Sequence, residues 1–392
     1  MTVTISSRSR FEIDYSITCR NGQSIFDYAH EICLEQTVEV PEECLTKDHF
    51  DNEIPGKIEK ISQIPDSIDN YLVTISFPCD ICSYSVPQFL NTIYGNISLK
   101  NNIKIISMRI PDELNSVFPG PQFGIEGLRM LLGVFRRPLT CTALKPVGLS
   151  AQELASMAAQ FANGGVDIIK DDHGITNQPY AFFEERIKRV IDAVHKVNSK
   201  TGRKTLYFPM LNDEPEVLSK QISLCSEIGI KGILIAPMLV GCGTVASIRK
   251  TTDLAIMTHP SFAGTFFSSS EHGAMHGFLL GTFFRLIGAD ISIFPNAGGR
   301  FRFTQAECNT ISDSLRKPFG NRKSSFPAPA GGMRIDRIGE MIEHYGMDAV
   351  FIIGGNLLVQ GNNLTNTTGM FVETVQKKAS EYQLAHAPFQ NR

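Results

Sequence analysis

Lys170, Asp171, Asp172 and His173 close the run Gly164-Gly165-Val166-Asp167-Ile168-Ile169, which delivers an amine, two carboxylates and an imidazole to one point of the chain. A strand that leaves a helix through a glycine pair and finishes in charge puts those groups where a parallel barrel keeps its chemistry. A lysine among carboxylates is either an ion pair or an acid–base group with a displaced pKa. Hard oxygen and nitrogen donors at that spot suit a magnesium ion. Lys145, rigidly followed by Pro146, could neutralise an oxyanion or move a proton. His259 stands before Pro260 in the same manner. The bland alternatives are a surface lysine for Lys145 and a satisfied core histidine for His259.

These groups need elements to place them. Short apolar stretches recur at 139–145, 167–172, 205–211, 232–238, 253–259, 290–296, 325–331 and 349–355, each ending in polar or small residues. Helical patterns separate them at 151–162, 182–197, 216–227, 276–287 and 335–344, with Ser150 and Asp213 at N-cap positions and Gly229, Gly288 and Gly346 at stops. Eight βα units over about 250 residues predict a (β/α)8 TIM barrel. A doubly wound sheet is the rival, but no GxGxxG follows the first strand. The preceding residues mix strand patterns at 71–77 and 102–110 with a short helix at 87–94, which reads as an α+β sheet domain of ferredoxin-like type. The turn-rich segment 118–124 marks the boundary, giving domains 1–121 and 122–392, the second ending in a helical tail.

Reading only the strand ends yields Lys145, then Lys170 with Asp172 and His173, then Asn212, His259 and Asn296. Gly331-Gly332 and Gly354-Gly355 follow the seventh and eighth strands, where many barrels bind phosphate through backbone N–H groups. Arg300, in Gly298-Gly299-Arg300, could close over a phosphorylated ligand. His272 and His276 are weaker candidates, and His195 and His344 lie within helical patterns as structural or solvated groups.

The 392 residues are 42% hydrophobic and 20% charged, with a net charge of −3, an ordinary globular composition. No long basic run points to nucleic acid, and no apolar run reaches the roughly 18 residues of a membrane span. Residues 1–15 do not read as a secretory signal. Nine irregularly spaced cysteines, with Cys79 and Cys82 as the lone CxxC, suggest reduced thiols in a cytoplasmic protein.

Three motifs together resemble the RuBisCO large chain, and specifically the non-carboxylating RuBisCO-like proteins. Residues 164–172 resemble the family's metal-site strand, residues 142–150 its first-strand motif with a catalytic lysine, and residues 118–125 its linker into the barrel. Tyr94-Gly95-Asn96 and Glu35-Gln36-Thr37 are similar to segments that reach the neighbouring subunit's active site. The resemblance implies a Mg2+ ion held by a CO2-derived carbamate on Lys170, by Asp172 and, at the third ligand position, by His173. It further implies proton transfer by Lys145, substrate binding by His259, Glu35, Asn96 and Arg300, and phosphate binding by Gly331, Gly332, Gly354 and Gly355. A homodimer, or an assembly of dimers, follows from the shared site.

The departures exclude carboxylation. His173 replaces a glutamate ligand, Val147 a second lysine, Arg300 the mobile lysine, Ile293 a histidine and Ala330 a serine. The expected activity is enediolate chemistry on a monophosphorylated keto sugar or sugar acid. Cleavage or decarboxylation of 3-oxo-isoapionate 4-phosphate in apiose breakdown is the first expectation. The alternatives are isomerisation of 5-methylthioribulose 1-phosphate, enolisation of 2,3-diketo-5-methylthiopentyl 1-phosphate in methionine salvage, and a regulatory protein without turnover.

Overall fold

The computed structural model describes residues 9–20, 22–51, 53–359 and 363–386. It divides into two units, one running to Pro119 and including Phe262–Leu279, the other formed by Gly120–Ser261 with the chain from Leu280 onward. The first unit therefore contains a segment, 262–279, that a single boundary near residue 121 does not anticipate.

In the first unit, strands β1 (Arg10–Thr18), β2 (Lys57–Gln63), β3 (Asn70–Pro78) and β4 (Ile103–Arg109) form an antiparallel sheet in the order β4-β1-β3-β2. Helices Ile25–Glu35 and Val86–Tyr94 complete a βαββαβ arrangement of the ferredoxin-like kind. Alternation decides the buried face, since Phe11, Ile13, Tyr15 and Ile17 of β1 are all fully buried. The second helix starts where sequence expects, with the Ser85 hydroxyl accepting from Gln88 N–H and Pro87 in the first turn. The two-residue strand β11 (Gly273–Ala274, numbered by chain position) extends the sheet by pairing in parallel with β4.

The second unit holds β5 (Leu139–Leu144), β6 (Ile168–Asp171), β7 (Leu206–Phe208), β8 (Met210–Leu211), β9 (Gly232–Ile235), β10 (Ala255–Thr258), β12 (Ile291–Pro295), β13 (Phe326–Ala330) and β14 (Val350–Ile352). All pair in parallel, in the arcs β14-β5-β6-β7 and β8-β9-β10-β12-β13. Prolines make both seams. Pro209 splits the third barrel strand into β7 and β8, although its carbonyl still accepts from Leu234 N–H at 2.8 Å. In β13 the Phe326 N–H points towards β12, donating to Asp290 O, so Pro327 and Pro329 stand where donors to β14 would be.

Closure of the barrel is carried by side chains. Inward residues from every barrel strand, among them Cys141, Ile168, Phe208, Leu234, Met257, Ile293, Ala328 and Ile352, form one core with Leu128 and Leu132 of helix Gly124–Leu132. The buried Asp290 carboxylate pins that helix, accepting from Phe123 N–H (2.7 Å), Gly124 N–H (2.8 Å) and Ile256 N–H (2.9 Å). Helix Ala151–Gly164 begins at a Ser150–Glu153 capping box as expected. Helix Pro215–Glu227 has Glu214, not Asp213, at its N-cap, because the Asp213 carboxylate turns to Glu214 N–H and to Gln221. The pattern at 276–287 resolves into a π-helical stretch, Gly277–Phe283, followed by a short α-turn.

Gly232 is required by packing, since a Cβ there would lie 2.3 Å from the Phe208 ring. Gly232→Ala should cost about 1–3 kcal/mol by overpacking. Denaturant titration should show the Gly232→Ala loss shrinking in a Phe208→Leu background; equal losses in both backgrounds would remove Phe208 as the cause.

Candidate active site at the barrel mouth

Side chains alternate along a strand, so the buried inward positions of β5 and β6 determine which of their later residues face the barrel axis. Cys141 and Ile168 lie in the barrel core, which puts Ala143 and Lys145 on the inward face of one strand, and Lys170 and Asp172 on that of the next. The parallel register aligns Ala143 with Lys170 and Leu144 with Asp171, and Asp172 N–H donates to Leu144 O at 3.1 Å. Lys145 thus meets Asp172, with Nζ 3.0 Å from Oδ1. Lys170 is only 4% exposed, its Nζ donating to Asp171 O at 3.1 Å. Burial lowers the Lys170 pKa, helped by the Lys145 charge and opposed by Cys141, Asp172 and Asp171. For Asp172 burial works upward, yet the neighbouring His173 and Lys145 outweigh it and hold the carboxyl well below the usual carboxylate range.

Asp171 faces the other way. It accepts from Arg186 Nε (3.2 Å), Tyr207 OH (2.8 Å) and Met210 N–H (3.0 Å), and both members of its ion pair are fully buried. Arg186, on helix Phe183–Thr201, also donates to Ala181 O and Thr176 O, fastening the segment that follows His173. The strand-end reading missed this lock; the signal was Asp171's odd phase between two inward residues.

His173 and His259 stack, with centroids 4.6 Å apart and planes 8° from parallel. The His259 Nδ1 accepts from Ser261 N–H (3.2 Å), which assigns the ring proton to Nε2. Burial, then the charges of Lys170 and His173, lowers the His259 pKa well below its usual value, so the ring is neutral at neutral pH.

The remaining candidates divide. Gly331 and Gly332 adopt φ of +85° and +89°, and the Gly299 backbone approaches so closely that a Cβ there would lie 2.0 Å from Gly331 O. The Arg300 guanidinium is exposed and lies 5.7 Å from the Phe301 ring centroid. Gly354 has a second role: a Cβ would sit 3.4 Å from Lys145 Cε, so its absence makes room for the lysine stem. Gly355 opens the short helix Gly355–Val359, and Asn356 Nδ2 donates to Met333 O, tying the last two barrel loops together. Asn296 is engaged by Tyr345 OH and is structural. Glu35 and Asn96 are joined within the first unit by a 2.9 Å hydrogen bond. His272 contacts Tyr94, and His276 packs beside Phe267, also in that unit. His195 and His344 are exposed on their helices.

Among the described residues no group of three or more His, Cys, Asp or Glu side chains is arranged to hold a metal. The donor set fits a divalent ion only when Lys170 joins it. A lowered pKa favours the neutral amine, the form that adds CO2, and the resulting carbamate would supply hard oxygen beside Asp172.

The family described as ribulose bisphosphate carboxylase large chain, catalytic domain, matches residues 124–380. The chain belongs to the RuBisCO large-chain family. A 5-methylthioribulose-1-phosphate isomerase of Rhodospirillum rubrum is 38% identical, over 91% of this chain and 94% of that protein. A 2,3-diketo-5-methylthiopentyl-1-phosphate enolase of Bacillus pumilus is 31% identical, over 88% and 86% respectively. The crystal structure of a RuBisCO-like protein from Rhodopseudomonas palustris superposes with a TM-score of 0.85 at 33% identity, covering 98% of this chain and 100% of that one. This chain is a RuBisCO-like member of the family, with the barrel and preceding sheet domain that the resemblance implied. None of its nine cysteines is paired in a disulfide, and no described helix is long and apolar enough to cross a membrane.

A lysine whose folded pKa lies below its unfolded value of 10.5 makes the unfolded state bind more protons between the two. Stability therefore rises with pH across that interval. In CO2-free buffer without divalent ions, Lys170→Met should be more stable than wild type at about pH 7, and the gap should narrow towards about pH 10. Denaturant midpoints measured across that range check it; a constant gap would place the Lys170 ammonium in no unusual environment.

Proposed function

We propose that this RuBisCO-like chain is a non-carboxylating enzyme that isomerises 5-methylthioribulose 1-phosphate through an enediolate. The observation that carries the reading is the convergence of the Lys145–Asp172 pair, buried Lys170 and neutral His259 at one barrel mouth. The relatives reported above bear the names of methylthio-sugar isomerase and enolase, and cleavage of 3-oxo-isoapionate 4-phosphate gains no support from them. Enolisation of 2,3-diketo-5-methylthiopentyl 1-phosphate is the second reading, favoured by the second of those relatives.

In this reading Lys170, as its carbamate, and Asp172 would hold a divalent ion, Mg2+ in the family, which would lower the cost of developing negative charge on the substrate. The Asp172 carboxylate holds the Lys145 ammonium at the mouth, where it can give a proton to the developing enolate and take one back. His259 offers its Nε2–H to a substrate oxygen as a neutral donor. The positive-φ turn at Gly331-Gly332, with Gly354-Gly355 beside it, turns backbone N–H groups to the single phosphate, and Arg300 covers it. A bisphosphate needs a second fixed anion site, and the side chain two residues past Lys145, Val147, is apolar.

Incubation with 5-methylthioribulose 1-phosphate in D2O, followed by NMR, should show an isomerised product with its carbon skeleton retained and deuterium entering at the reacting carbon. Bicarbonate with Mg2+ should raise the rate, and EDTA or Lys170→Ala should lower it by about a hundredfold or more. Appearance of glycolate and 3-phosphoglycerate from 3-oxo-isoapionate 4-phosphate would overturn the substrate, and undiminished turnover in EDTA would overturn the metal. Thermal stabilisation by phosphorylated sugars without any proton exchange would identify a regulatory binder instead.

The assembly proposed is a homodimer in which the Glu35–Asn96 pair of one chain completes the barrel site of the other. Asn96→Asp together with Glu35→Gln should cut turnover while leaving the melting temperature within about 1–2 °C of wild type, both groups being exposed. Full activity in a species that sedimentation shows to be monomeric would sink the shared site.

A further inference from the structure

Resting on the enediolate reading above, we propose that Ser261 is a positioning residue for that reaction, the group that fixes which edge of the His259 ring faces the substrate. His259 N–H donates to Ile235 O at 2.8 Å, so the histidine backbone is held in the barrel ladder just beyond β10. Pro260 follows and carries no N–H. The next donor along the chain is Ser261 N–H, and it reaches back to His259 Nδ1 at 3.2 Å. A backbone N–H can only donate, which makes Nδ1 the acceptor. The Ser261 hydroxyl, 2.8 Å from the same nitrogen, then donates as well. Two donors from one residue converge on one lone pair, and the ring proton is left on Nε2.

Stacking alone does not achieve this. The His173 ring lies 8° from parallel with that of His259, at 4.6 Å between centroids, and restrains the plane of the imidazole. A ring turned half-way round its Cβ–Cγ bond keeps that plane and stacks equally well, but it exchanges Nδ1 with Cδ2 and Nε2 with Cε1. A carbon in the place of Nδ1 accepts nothing, so the flipped ring would strand both Ser261 donors. Among the described residues Nε2 has no hydrogen-bond partner, which leaves it as the ring's donor for a substrate oxygen. Ser261 acts through His259 and touches no reacting atom. The Nε2 donor gains strength as the substrate oxygen becomes an oxyanion, so loss of its orientation costs turnover more than binding.

Histidine-selective 15N NMR of the full chain reads the tautomer directly, with the His259 signals identified by their loss in His259→Asn. Where the ring is neutral, wild type should show a single Nε2–H tautomer, Ser261→Ala a mixture of the two tautomers, and Ser261→Thr the wild-type pattern. With 5-methylthioribulose 1-phosphate, Ser261→Ala should lower kcat by about two- to tenfold and leave KM within about twofold, and Ser261→Thr should restore kcat. A wild-type ring protonated on Nδ1, an unmixed tautomer in Ser261→Ala, or no recovery in Ser261→Thr would overturn the assignment. The tautomer is read in the resting protein and needs no turnover. A chain whose tautomer responds as stated but that does not isomerise this substrate loses the proposed reaction and keeps the orienting role of Ser261. One that isomerises with undiminished kcat in Ser261→Ala keeps the reaction and loses that role.

Discussion

The site depends on the phase of two neighbouring parallel strands. Once Cys141 and Ile168 are committed to the barrel core, two-residue periodicity places Lys145, Lys170 and Asp172 on the same inward surface, and the β5–β6 register sets Lys145 against Asp172. A slip of one residue would turn Asp171 inward and send Lys170 to the helices. Asp171 guards against that slip, because its outward carboxylate is fixed by Arg186, Tyr207 and the Met210 amide, all buried. Removing Arg186 alone would strand a buried carboxylate, a larger penalty than losing an exposed pair.

The barrel surrounding this lock is not uniformly hydrogen-bonded. Pro209, Pro327 and Pro329 remove donors at the two places where the arcs meet, and the interior of Leu, Ile, Met and Phe side chains bridges the seams. Apolar burial is indifferent to direction, so it can close a cylinder whose ladder is broken. The two strands that flank the seam, β13 and β14, lead directly into Gly331-Gly332 and Gly354-Gly355. The absence of a side chain at Gly354 leaves space for the stem of Lys145.

Electrostatically the mouth is a set of unequal environments. Burial lowers the Lys170 pKa, Asp172 stays ionised beside a cation, and His259 is kept neutral. Groups of similar chemistry thereby acquire different protonation states at one pH, a condition for moving a proton between them. His173 lies just beyond β6, so the residue type at this position can differ without disturbing the strand.

The eight strand positions, the inward lysines and the Ser150 helix start were readable in the chain, because periodicity, capping and turn residues act over a few neighbouring positions. Motif similarity carried the family. Other features required the folded structure: the Asp171–Arg186 pair spans fifteen residues, Asp290 reaches helix Gly124–Leu132 across 166, and the segment 262–279 joins the first unit's sheet from within the barrel sequence. Asp213 looked like a cap but found a better partner in Gln221, and the stacking of His173 on His259 had no local signal. Local propensity names the elements and their faces. Which buried charge meets which, and which ring covers which, is decided only when distant segments are packed together and each buried polar group must find a partner.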